Sequence, residues 1–186
     1  MDLLSHFWAP LCAIGGHGDR GPNAQICVSV FGASIVPDRP RLMVILTKAN
    51  YTHDLVRASG TMTITVLGAD QVGLLEPLGM RSGRDGDKLT GIGFELTPQG
   101  DPYFKGGVGY LRCDVIEGHD LGDSTAFLCA VRERHELAGG EPIAWAAAQR
   151  MVGDAFMAKY SQKRQHDADI ARALMAWRAE EENSAG

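Results

Sequence analysis

Paired cysteines, a basic face and a long apolar run are all missing from these 186 residues, and each absence removes a class of function. The four cysteines, Cys12, Cys27, Cys113 and Cys129, stand singly in apolar stretches, without the close spacings of a zinc or redox centre, so no metal site is expected. They are read as buried free thiols, and with no readable signal peptide that usage points to a cytoplasmic, reducing setting. Lys and Arg total 18 against 23 Asp and Glu, a net charge of −5 with neither sign gathered in a block. A duplex nucleic-acid partner needs a basic face to displace counterions, and none is present. No run approaches the roughly 18 apolar residues of a membrane helix, so no membrane partner is expected. No GxGxxG dinucleotide motif is recognised, and GxxxxGK[ST], HExxH and GxSxG are absent, so Rossmann dinucleotide binding, phosphoryl transfer, zinc proteolysis and the serine hydrolase elbow are not expected.

What is present is a 45% apolar chain long enough to bury roughly 70% of its extended surface without staples. Residues 1–140 read as short strands punctuated by Gly and Pro, and 141–186 as an Ala-, Arg- and Met-rich helical extension, with the boundary near Gly139 and Gly140. Strands are expected at Ala24 to Val30, Arg41 to Leu46, Thr61 to Leu67, Gly109 to Glu117 and Thr125 to Arg134. In the third, Thr alternates with apolar residues, so one face is buried and the other carries hydroxyls. Five strands with few intervening helices suggest an antiparallel barrel and not a doubly wound sheet. A short helix is expected from Asn50 to Gly60. Pro142 suits a helical first turn, after which Trp145, Gln149, Val152, Phe156 and Tyr160 recur on one face; a second helix carries Ile170, Leu174 and Trp177. These aromatic stripes read as core or dimer contact.

Polar residues thread the apolar strands: Asn23, Gln25, Ser29 and Ser34, then Thr47, Lys48, Asn50, Thr52 and His53 past the next strand. Two strand ends presenting hydroxyls, amides and an ammonium make an anion cradle, and the helix starting near Tyr51 adds its N–H groups and positive dipole end. The other reading is that Asn50 and Thr52 only cap that helix and Lys48 is solvated.

The segment Gly21-Pro22-Asn23-Ala24-Gln25 with Ser29, Phe31, Ser34, Pro40 and Leu42 resembles the flavin-binding strand and turn of the flavin reductase-like family. Lys48 to Leu55, Thr63 to Leu67, Ser82-Gly83-Arg84-Asp85-Gly86-Asp87-Lys88-Leu89, Tyr110 to Cys113 and Gly122-Asp123 resemble later blocks of that family, in order, over residues 8 to 137. The resemblance implies an FMN-binding split β-barrel, mainly β with peripheral helices. It also implies a homodimer with flavin at the subunit boundary, and hydride transfer from NADH or NADPH to FMN or FAD. Reduced flavin then goes to a monooxygenase, or electrons to an acceptor protein. Flavin contacts fall on Asn23, Ala24, Gln25 and Ser29, with Lys48, Asn50 and Thr52 closing the site and Arg84 and Lys88 near the phosphate or ring; as members of a charge-rich loop, the last two also read as solvated. Two departures stand out. Ile26 replaces a hydroxyl residue, and Ser124 stands where many relatives carry His, with His53 and His119 the nearest substitutes. The alternatives are a non-catalytic FMN-binding or electron-carrier protein, and a dimeric scaffold in which the polar line is structural.

Overall fold

The computed structural model describes residues 10–175; the expected helix position Trp177 lies outside the described residues. Seven strands form one antiparallel sheet: β1 (Cys12–Gly18), β2 (Gly21–Cys27), β3 (Val30–Gly32), β4 (Arg41–Thr47), β5 (Thr61–Val66), β8 (Gly109–Asp120) and β9 (Ser124–Glu136). A two-stranded ribbon, β6 (Glu95–Leu96) with β7 (Pro102–Tyr103), lies apart from it. The order across the large sheet is β2-β1-β5-β8-β9-β4-β3. Its two edge strands, β2 and β3, are consecutive in the chain and separated by only Val28 and Ser29, so the sheet must curl until its edges nearly meet. The Ile45 N–H donates to the Ser29 carbonyl at 3.0 Å at this bend. The five expected strands are all present, in the split-barrel arrangement.

Inside the curl, Ile14, Val44, Leu46, Met62, Ile64 and Phe127 pack with all four cysteines, which are free and buried as expected. A second core lies over the other side of β1 and β2, where Leu11, Ala13 and Ala24 meet Leu75, Leu78, Leu89, Phe104, Ile143 and Trp145. The hydroxyl face of β5 is not open to solvent. Thr63 and Thr65 are fully buried; Thr63 donates to the Pro102 carbonyl, and Thr65 accepts from the Phe104 N–H at 3.3 Å.

β1 is absent from the sequence-based expectations because CAIGGHG reads as a broken stretch. Its glycines serve close packing: a Cβ on Gly15 would meet the Pro102 carbonyl oxygen at 2.0 Å. Gly16 to Gly21 also fits the GxGxxG pattern of dinucleotide-binding folds letter for letter, a match that sequence reading passed over. Here it is the β1–β2 hairpin, followed by a strand and not by a helix, so the phosphate-binding helix N-terminus of that motif is not formed.

Helix α1 (Tyr51–Ser59) closes at Gly60, left-handed at φ 72°, and packs on β1. A 3₁₀ turn (Ala69–Leu74) leads into α2 (Leu75–Met80). The expected pair of C-terminal helices is present as two helical segments of α3 (Trp145–Met175) joined at Gly153, where the backbone is not helical; the break thus falls inside the expected first helix, between Val152 and Phe156. Among the described residues no helix is long and apolar enough to cross a membrane.

Candidate functional site

Four chain segments converge on one side of the sheet: Gln25 to Val28 at the end of β2, Lys48 to Tyr51 entering α1, the end of α2 with the loop through Lys88, and α3. Together they enclose a slot of about 190 Å³ that opens into a cleft of about 580 Å³. The two share Asn50, Met80, Arg81, Lys88, Lys163 and Asp167, so they form one continuous space.

The slot is walled by Ile26, Val28, Leu75, Leu78, Trp145, Phe156 and Tyr160. Within this apolar lining Gln25 is only 5% exposed, and its side-chain oxygen Oε1 has no hydrogen-bond donor. A buried acceptor without a partner costs free energy, which a ligand N–H recovers. Cys27 also lines the slot, but burial pushes its thiol up to about 11, so it is no nucleophile at neutral pH.

The cleft adds charge. Lys48 and Arg84 join Arg81, Lys88 and Lys163, which it shares with the slot, against Asp85 and Asp167, although the chain as a whole is acidic. Asn50 stands at the N-cap of α1 with extended backbone (φ −88°, ψ 136°), and its side chain makes no cap bond. It lines both slot and cleft, where the positive end of the helix favours an anion. Arg84 is steered by Asp54, 2.8 Å from its guanidinium, and lies over the Tyr51 ring at 5.5 Å. The Lys48 ammonium donates to Asp120 at 2.7 Å; that bond and the Gly122 N–H hold the Asp120 carboxyl below the usual carboxylate range.

Lys88 is buried, where sequence reading also allowed a solvated loop residue. Its ammonium donates to the carbonyls of Leu78 at 3.1 Å and Arg81 at 3.2 Å, satisfying groups left open at the C-terminal end of α2. Burial, and then the charge of Lys163, push it down to about 8.

Of the residues expected at the site, Gln25, Lys48, Asn50, Arg84 and Lys88 come together here. Asn23 and Thr52 stand behind them: the Asn23 amide donates to the Thr52 hydroxyl at 2.7 Å, tying β2 to α1, and both are buried. Ala24 belongs to the outer core, and Ser29 sits at the β2–β3 bend, its N–H on the Cys27 sulfur at 3.3 Å. Ser124 begins β9 opposite Thr47. His53 is buried between Thr125, 2.9 Å from its Nε2, and Asp54, 3.0 Å from its Nδ1, while His119 is half exposed beside Glu117. Sequence reading missed Tyr160, Lys163 and Asp167 as lining residues. The signal was available only in part: the aromatic stripe was visible, but not the surface it meets. Among the described residues no group of three or more His, Cys, Asp or Glu is placed to hold a metal ion.

The chain is 33% identical over 131 residues to a high molecular weight rubredoxin of Moorella thermoacetica, covering 69% of this chain and 56% of that protein. It therefore spans little more than half of that relative's length. It is 26% identical over 140 residues to the reductase subunit HsaB of a flavin-dependent monooxygenase from Mycobacterium tuberculosis, covering 75% of this chain and 72% of the other. Among solved structures, an FMN-binding protein from Thermus thermophilus superposes with a TM-score of 0.64 at 24% identity, over 71% of this chain and 74% of that one, which shows a shared fold. The profile of the flavin reductase like domain matches residues 4–153, so the chain belongs to the flavin reductase-like family.

Proposed function

We propose that this protein is an NAD(P)H:flavin oxidoreductase that holds FMN, or FAD, with its ring in the apolar slot and its phosphate in the basic cleft. The observation that carries this reading is a largely apolar slot, lined by Gln25 whose buried Oε1 has no hydrogen-bond partner, that shares six residues with a cationic cleft. A flat heteroaromatic ring with an N–H on its edge and an anionic tail has the complementary chemistry, and an isoalloxazine on a ribityl phosphate is such a molecule.

When bound, a flavin supplies acceptance of a hydride from the reduced nicotinamide. The protein's share is positioning and exclusion of water. Gln25 would accept a ring N–H, and Ile26, Val28, Trp145 and Phe156 would keep solvent from the ring. Lys88 and Asn50 would hold the phosphate, with Lys48 and Arg84 adding to the field.

The reduced flavin serves a flavin-dependent monooxygenase, as the relationship to a monooxygenase reductase subunit supports, or an electron-acceptor protein. The protein acts as a homodimer in a reducing cytoplasm. Phe31, Ile35, Val36, Ile116 and Leu121 are exposed on β3, the segment after it, β8 and the β8–β9 turn, apolar surface that a second copy covers. A second reading, a non-catalytic FMN carrier, is favoured by Ser124 at the expected His position and by His53 being engaged with Thr125 and Asp54.

Titration of the purified protein with FMN, followed by NADH and NADPH oxidation with free FMN, tests both. Quenched flavin fluorescence and nicotinamide-dependent bleaching support the oxidoreductase. Quenching without nicotinamide oxidation leaves the carrier, and no quenching overturns both.

A further inference from the structure

The family profile ends at residue 153, and Gly153 is also where the helical backbone of α3 breaks, at φ 77° and ψ 170°. Beyond that joint the helix runs across the mouth of the site just described. Phe156 and Tyr160 wall the slot, Lys163 and Asp167 line both spaces, and Ile170 and Leu174 line the cleft. One wall of the site is therefore supplied by residues outside the matched family domain.

Lys163 brings a second ammonium to the cleft that holds Lys88. Among the described residues its ammonium bonds Asp167, at 2.6 Å and one helical turn away. An ammonium has three donors; Lys88 spends two on the Leu78 and Arg81 carbonyls and keeps one, whereas Lys163 keeps two. Two ammoniums facing one cleft disfavour each other's charge, and burial together with Lys163 lowers the basicity of Lys88. A multivalent anion between them removes that conflict and takes up the remaining donors.

Resting on the flavin reading above, we infer that the distal half of α3, residues 154–175, is a clamp selective for the phosphorylated flavin, in which Lys163 on the clamp and Lys88 on the barrel side grip the terminal phosphate. Asp167 is the internal competitor that holds Lys163 until the phosphate displaces it. The clamp thereby separates FMN from riboflavin, which shares the ring but has no phosphate.

The test is the dissociation constant of FMN and of riboflavin, by fluorescence titration, for the unsubstituted protein, Lys163→Gln and Asp167→Asn. Both positions lie on a partly exposed helix face, and circular dichroism confirms that each variant folds. Lys163→Gln weakens FMN about tenfold, the size of one charge-assisted hydrogen bond, and leaves riboflavin unchanged. Asp167→Asn moves the other way, tightening FMN alone. An FMN-to-riboflavin affinity ratio equal in all three proteins overturns the clamp while leaving the flavin reading intact. Failure of the unsubstituted protein to bind either flavin overturns the reading and the clamp with it.

Discussion

Replacing Lys88 by Met puts the buried lysine to a quantitative test. An unfolded chain titrates this group near 10.5, whereas the folded protein releases the proton at about 8, chiefly because burial penalises the charge. That gap corresponds to about 3 kcal/mol carried by the folded state wherever both forms are protonated. Between the two values the unfolded chain binds the extra proton, so stability rises with pH across this window. The cost is felt in full below about pH 8 and is gone above about pH 10.5. Met at position 88 has nothing to titrate. It also leaves the Leu78 and Arg81 carbonyls without donors, a loss of about 0.5–1.5 kcal/mol for each bond. Near pH 7 the two effects oppose, and the variant and the unsubstituted protein are similar in stability. At higher pH the neutral amine still caps α2 without the charge cost, and the unsubstituted protein pulls ahead. Urea unfolding without added flavin or phosphate should show the stability difference growing by about 2 to 3 kcal/mol between pH 7 and pH 10. A difference that stays flat or shrinks over that range would refute the assignment of Lys88 as a buried, charged cap.

Other outcomes follow from single contacts. Asp101 is fully buried with Oδ2 unpartnered, and His17 Nδ1 lies 2.7 Å from Oδ1; His17→Ala strands that carboxylate and should cost about 3 kcal/mol, largely recovered in a double variant with Asp101→Asn, read by urea unfolding. Gly153 has open space around a Cβ but a backbone conformation that L-residues avoid, so Gly153→Ala should destabilise by about 1–3 kcal/mol through backbone strain alone, on the same assay. Ser124→His should raise the rate of flavin reduction by NADH or NADPH in stopped-flow bleaching, because an imidazolium stabilises developing negative charge better than a hydroxyl. A rate that instead falls on His53→Ala and ignores Ser124→His would move that role to His53.

Apolar runs ended by breakers made β2 and β4 legible, and Thr alternating with apolar residues made β5 so, although burial in β2 and β5 runs over consecutive residues because both faces are covered. β1 was not legible, since Gly15 and Gly16 look like breakers until the Pro102 carbonyl and Val56 are seen pressing against them. α2 was hidden by its six-residue length and by Pro77 within it. At the site, Gln25, Lys48 and Asn50 were readable because polar residues at apolar strand ends demand an explanation. Burial of Lys88 was not, for its acceptors are carbonyls ten and seven residues away on another element. Lys163 was further out of reach: only the path of α3 after Gly153 brings it back over β2 and α1.

The central claim is that the Gln25 amide waits in an apolar slot for a flavin N–H, and Gln25→Leu examines it from both sides at once. Leu is similar in size and leaves no acceptor unpaired, so the flavin-free variant should unfold about 1 kcal/mol less readily, while its FMN dissociation constant rises about tenfold. A variant that is less stable without flavin yet binds FMN as tightly as the unsubstituted protein would contradict the account.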